Sequence, residues 1–223
     1  MEREFIYWNH KTPAGIQVEE ICGAEDKALS VWKELALQVY GENGKDRFRV
    51  IDHTETGAPL LEDMDQRISV SHTGRFLCVA QLPRTPEADM HRYSPRSAMG
   101  IDCERTDREQ VLKVRERFLS EHELEMIPSE DVEQNILAWT CKEALYKAAL
   151  TPGLDFRAAI EIVRMPRICP HPGPLKKGDD TPFGAAVITT PDGKKHEMSL
   201  YSYLSEGHII TLAYSPKCAK YKS

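Results

Sequence analysis

The sequence predicts an α+β fold, on three observations. Strand-like and helix-like runs are mixed along the chain, several strand-like runs form adjacent hairpin-like pairs, and one long helical stretch occupies residues 131–149. A doubly wound parallel sheet would instead alternate strands and helices regularly. Both halves of the chain read strand, helix, then strands, so two α/β halves are expected, 1–96 and 97–223, without a residue-level repeat between them.

Residues 3–8, REFIYW, read as an opening strand. Over 25–40, Leu29, Trp32, Leu35, Ala36 and Val39 recur at a helical period, and Gly41 marks the stop. Short β-like runs follow at 47–51 and 68–70, then a longer one, RFLCVAQ, at 75–81. Residues 83–96 turn polar and hold Pro83, Pro86 and Pro95, the pattern of a linker. The second half restarts with a strand, SAMGIDCE, at 97–104. A helix is predicted at 108–118, and another opens at Ser120, where Glu123 completes a capping-box signature. The strongest helix, 131–149, begins with acidic residues and ends at Thr151-Pro152-Gly153. Strands at 159–164 and 183–190 flank a loop with Pro166, Pro170, Pro172 and Pro174, and strands near 197–204 and 207–214 complete the chain.

Of the 223 residues, 41% are apolar and 29% charged, enough apolar side chains for a core and too many for a disordered chain. The formal net charge of −6 argues against general nucleic-acid binding, which rests on phosphate neutralisation by Lys and Arg. It also means that an anionic ligand must be held by a local cluster of positive or metal charge. No apolar run approaches the ~20 residues of a membrane span, and the first residues lack a signal-peptide pattern. A cytoplasmic, membrane-free protein is expected. The six cysteines are dispersed without a CxxC, which points to thiols rather than a zinc ribbon or redox motif.

Three constellations could carry chemistry. In Gly100-Ile101-Asp102-Cys103-Glu104, strand geometry puts Asp102 and Glu104 on one face and Ile101 and Cys103 on the other. Such a carboxylate pair is either solvated at a strand end or held together by a hard divalent cation. On the long helix, Trp139, Glu143 and Lys147 are spaced four apart and share a face, beside an apolar stripe of Val132, Ile136, Cys141, Ala144, Leu145 and Ala148. Taken alone, Glu143 and Lys147 are an ordinary surface pair; they gain meaning if they converge with Asp102 and Glu104. The third is Ser71-His72-Thr73-Gly74-Arg75, which suits an anion site or a hydrogen-bonded turn. Neighbouring Ser71 and His72 point to opposite faces of a strand and cannot form a nucleophile–base pair.

In order and spacing, SVSHTG, MGIDCE and WTCKEALYK resemble the 4′-phosphopantetheinyl transferases, over about residues 57–147. The chain length is similar to that of the longer, surfactin-synthetase-activating type, whose single chain holds two similar α/β halves, a pseudo-dimer. The resemblance implies transfer of the 4′-phosphopantetheine group from coenzyme A to a serine of an acyl- or peptidyl-carrier protein, with release of 3′,5′-ADP. It further implies a Mg²⁺ site of Asp102, Glu104 and Glu143, with Asp102 also at the coenzyme A side. Lys147 and Lys142 are then expected to pair with phosphate oxygens, and His72, with Ser71 beside it, to contact the 3′-phosphate. Glu143 is the first candidate for the base, and a monomer is expected.

The chain departs from the family where Gly57-Ala58-Pro59 stands in place of the usual Gly-Lys-Pro; Lys27 and Lys33 are candidate substitutes for the lost cation. The basic residues Arg105, Arg108, Lys113, Arg115 and Arg117 are a candidate docking surface for an acidic carrier. The rival readings are a catalytically silent relative that binds coenzyme A or a carrier, and a Mg²⁺-dependent phosphate-ester hydrolase.

Overall fold

The computed structural model describes residues 6–22, 51–53, 59–61, 66–81, 98–170, 172 and 183–216. These form helices and largely antiparallel sheets, the α+β arrangement expected. The predicted helix at 25–40, the linker at 83–96, most of the Pro-rich loop, and Lys27, Lys33, Gly57 and Ala58 lie outside the described residues.

The first sheet contains β1 (Ile6–Lys11), β2 (Gln17–Cys22), β3 (Ile51–His53), β4 (Pro59–Leu61), β5 (Gln66–Thr73) and β6 (Phe76–Gln81), in the order β1-β2-β6-β5-β4-β3. The opening strand expected at 3–8 is described from Ile6 and runs on to Lys11, residues 3–5 lying outside the described residues. Strand β2 is hidden in the sequence because its centre is Glu19-Glu20, yet both are buried. Glu19 accepts from Gln81, and Glu20 accepts from the hydroxyls of Tyr203 and Ser205. Between β5 and β6, Gly74 opens a two-residue turn at φ +54°, a conformation that glycine adopts without penalty.

The second sheet contains β7 (Met99–Arg105), β8 (Ile160–Arg164), β10 (Gly184–Thr189), β11 (Lys195–Ser205) and β12 (His208–Tyr214), in the order β7-β12-β11-β10-β8. A short β9 (Ile168–Cys169) pairs in parallel with β11. Three helices, α1 (Gln110–Phe118), α2 (Glu121–Met126) and α3 (Val132–Ala149), run between β7 and β8. In this half the first strand pairs with the last and the others follow as β11-β10-β8; β2-β6-β5-β4-β3 repeats that order in the first sheet.

Strand alternation sorts the second sheet's side chains into two cores. Met99, Ile101, Cys103, Tyr201, Tyr203, Ile210, Leu212 and Tyr214 pack with Ile16, Val18, Phe76, Cys78 and Ala80 of the first half. The opposite face, including Met198, Leu200, Ile209 and Ala213, packs under the helices on Ile136, Cys141, Ala144, Leu145 and Ala148 of α3. Among the described residues the layers are therefore sheet, sheet, helices. Helix α2 starts with the capping box read from the sequence, Ser120 accepting from the Glu123 N–H while the Glu123 carboxylate accepts from the Ser120 N–H. No helix among the described residues is long and apolar enough to cross a membrane.

Candidate active site

Strand β7 presents Gly100, Asp102 and Glu104 to the helix side, while Met99, Ile101 and Cys103 fill the core between the sheets. Gly100 lets α3 come close. A Cβ there would stand 2.0 Å from the Ala144 carbonyl oxygen and 2.7 Å from the Ala148 nitrogen, so only glycine fits under the helix. This contact brings the α3 face with Glu143 and Lys147 over Asp102.

Lys147 Nζ donates to Asp102 Oδ1 at 2.8 Å and to the Ile101 carbonyl oxygen at 3.1 Å. Burial alone would push the Lys147 ammonium down, but the charge and hydrogen bond of Asp102 hold its pKa above the ordinary value. Glu143 is the reverse case: burial raises its pKa, Asp102 raises it further, and Lys147 and Arg108 oppose the rise. Among the described residues Glu143 accepts no hydrogen bond and forms no ion pair.

The first half reaches this site through β5. Ser69, Ser71 and Thr73 share one face of that strand and run along the outer edge of β7. Ser69 Oγ accepts from the Ile101 N–H at 3.0 Å, and Ser71 Oγ from the Cys103 N–H at 3.3 Å. Ser71 Oγ in turn donates to Asp102 Oδ1 at 2.7 Å, and Thr73 Oγ1 donates to Glu104 Oε1 at 3.0 Å. The alternate hydroxyls at 69, 71 and 73 are the signal that could have revealed this role. His72, between them, is exposed.

Residues 98–197 match the family model of the 4′-phosphopantetheinyl transferase superfamily. The match covers just under half of the chain, including Asp102, Glu104, Glu143 and Lys147, and leaves out the β5 hydroxyls. No curated protein matches the chain.

Other candidates named from the sequence are placed differently. Lys142 does not join the carboxylates. Its side chain is fully buried, pairs with Glu123 at 2.7 Å, and donates to the Phe156 and Ile160 carbonyl oxygens. Burial pushes the Lys142 pKa down and Glu123 opposes the drop. Helix α3 is buried on more than one side, so spacing could not tell an inward lysine from a phosphate-facing one. Trp139 turns to Phe118 and Phe156 rather than to the carboxylates. Of the basic stretch, Arg105 pairs with Asp107 and Arg108 with Glu104, while Arg115 donates to Asn135 and to the Ile127 carbonyl oxygen. Only Lys113 and Arg117 of the five remain as exposed side chains without such a partner among the described residues.

A Mg²⁺ site was expected from three carboxylates, but no group of three or more His, Cys, Asp or Glu among the described residues is placed to hold a metal ion. Glu104 is the member drawn aside, by Arg108, Thr73 and the Arg105 N–H. Asp102 and Glu143 fit a hard cation better. Both are oxygen donors, and the negative charge of Asp102 already disfavours ionised Glu143, a repulsion that a divalent ion would relieve.

Proposed function

We propose that this protein transfers the 4′-phosphopantetheine group of coenzyme A to a serine of an acyl- or peptidyl-carrier protein, in a Mg²⁺-dependent reaction that releases 3′,5′-ADP. The observation that carries the reading is the convergence of Asp102, Glu143 and Lys147 where α3 crosses β7 at Gly100, within the segment that matches the superfamily. The shared strand order of the two sheets supports the longer, two-half type of enzyme, which completes its site within one chain and works as a monomer.

Asp102 and Glu143 are the residues that would hold Mg²⁺, which supplies charge neutralisation on the pyrophosphate. Lys147 stands beside Asp102 and offers its ammonium to a phosphate oxygen. His72, exposed on β5, is the residue for the 3′-phosphate. Ser71 takes a different part from the one the resemblance implied. Its hydroxyl donates a hydrogen bond to Asp102, which favours orienting that carboxylate over binding the nucleotide.

The carrier's serine oxygen bonds to the β-phosphorus of coenzyme A, the phosphoanhydride bond breaks, and its electrons leave with 3′,5′-ADP. Glu143 receives the serine proton; burial and the neighbouring Asp102 raise its pKa above the ordinary carboxylate value, which makes the ionised carboxylate a stronger base. Positioning and charge compensation supply most of the rate, as in phosphoryl transfers generally.

The test is intact mass of an apo carrier protein incubated with this protein, coenzyme A and Mg²⁺. A gain of one phosphopantetheine group (~340 Da from its formula, a covalent modification) that disappears with EDTA and with Glu143→Ala supports the reading. Coenzyme A binding without any gain on fatty-acid, polyketide and peptide-synthetase carriers would replace it with a binding-only relative.

A further inference from the structure

The carboxylates of the site are unequally engaged. Glu104 Oε1 accepts from Thr73 Oγ1 at 3.0 Å and from the Arg105 N–H at 2.9 Å, and Oε2 takes the Arg108 guanidinium. Asp102 Oδ1 accepts from Ser71 and Lys147. Asp102 Oδ2 and both oxygens of Glu143 accept no hydrogen bond among the described residues. Every unengaged oxygen therefore belongs to Asp102 or Glu143.

Joining a cation would require Glu104 to give up donors on both of its oxygens, one of them a guanidinium, and charge-assisted bonds of that kind are about twice as strong as neutral ones. The Arg108 charge also stands where it would repel an approaching cation. The pair is fixed from both ends. Arg108 lies four residues after Glu104 in the turn that enters α1, and Thr73 approaches from β5 of the other half. Glu104 is nearly buried, at 7% side-chain exposure, whereas Arg108 is 48% exposed.

From this geometry we infer that Arg108 and Thr73 are positioning residues that keep Glu104 outside the cation's coordination sphere, leaving Asp102 Oδ2 and Glu143 as the protein's ligands. The inference rests on the Mg²⁺-dependent reading above for the presence of a cation. It departs from the three-carboxylate set implied by resemblance, and gives Glu104 the task of neutralising Arg108 at the joint between β7 and α1.

The experiment is titration of the full chain with Mn²⁺, followed by electron paramagnetic resonance of the free ion, without coenzyme A or carrier. Asp102→Asn and Glu143→Gln are expected to weaken binding at least tenfold, and Glu104→Gln less than threefold. Arg108→Gln, which releases Glu104, is expected to tighten binding at least threefold in the parent chain and less in a Glu104→Gln background. A Glu104→Gln loss as large as that of Asp102→Asn overturns the inference, as does an equal Arg108→Gln effect in both backgrounds, or no Mn²⁺ binding by the parent chain. Circular dichroism confirms that each variant is folded. Because no transfer is measured, failure of the carrier assay would leave these ratios intact, and failure of these ratios would leave the carrier assay intact.

Discussion

Ser71 on β5 donates its hydroxyl proton to Asp102 on β7 across 2.7 Å, so a residue of the first half fixes the orientation of a carboxylate in the second. Removing the hydroxyl also leaves the Cys103 N–H without that acceptor. Ser71→Ala is expected to lower kcat for carrier modification about tenfold, the equivalent of ~1.4 kcal/mol, with a smaller change in the KM for coenzyme A. Ser71→Thr keeps the hydroxyl and should restore most of the rate. A KM effect larger than the kcat effect would return Ser71 to the nucleotide.

The buried pair of Lys142 and Glu123 makes a stability prediction independent of catalysis. Lys142→Met strands a carboxylate in the core, and breaking one side of a buried pair costs about 3–5 kcal/mol. Adding Glu123→Gln removes the stranded charge and keeps an amide for the capping box, so the double variant should be more stable than Lys142→Met alone. Urea unfolding of both variants checks the order. A Lys142→Met protein with parent stability would show that the lysine is not buried as described.

At Gly100 the expected effect is local and severe. Gly100→Ala puts a methyl group into the Ala144 carbonyl, and relief requires α3 to lift from β7. Overpacking of this kind costs about 1–3 kcal/mol or more. The melting temperature should fall, and Mn²⁺ affinity with it, because Glu143 moves away with the helix. Unchanged values for both would contradict the close crossing.

His10 makes stability depend on pH. Its Nε2 is 3.7 Å from Glu20 Oε1, too far for a hydrogen bond, and has no hydrogen-bond partner among the described residues. Burial lowers the His10 pKa from its ordinary 6.5 to about 4. Between those values the unfolded chain binds the extra proton, so this contribution to stability is present above pH ~6.5 and is lost as pH falls towards ~4. Glu20, whose carboxyl is raised by burial, contributes the opposite slope. Comparing the parent with His10→Phe isolates the histidine: the parent should lose on the order of 1–2 kcal/mol relative to the variant between pH 7 and pH 4.5, after a discount for solvent contact. A pH-independent difference would refute it.

The elements legible in the sequence are those whose signals are local. Asp131 caps α3, Ser120 and Glu123 form their box, and the alternation in MGIDCE puts Asp102 and Glu104 opposite Ile101 and Cys103. What was hidden depends on partners far along the chain. Glu20 reads as a surface acid until Tyr203 and Ser205 supply its donors 183 and 185 residues away. Lys142 reads as a phosphate contact until Glu123 and β8 enclose it. Spacing also put Glu143 and Lys147 together on the α3 face that meets Asp102, without foretelling that Arg108 would claim Glu104.

Strand β7 lies at the margin of its sheet, and the backbone donors Ile101 and Cys103 on its open side are taken by serine hydroxyls rather than by another strand. A bare strand edge is a template for pairing with other chains. A fragment beginning at residue 98 would keep Asp102, Glu143 and Lys147 yet expose that edge, so its expected fate is self-association before any loss of chemistry could be measured. Ser71 thus covers part of that edge with the same hydroxyl that aims the Asp102 carboxylate, and selection on either property would act on both.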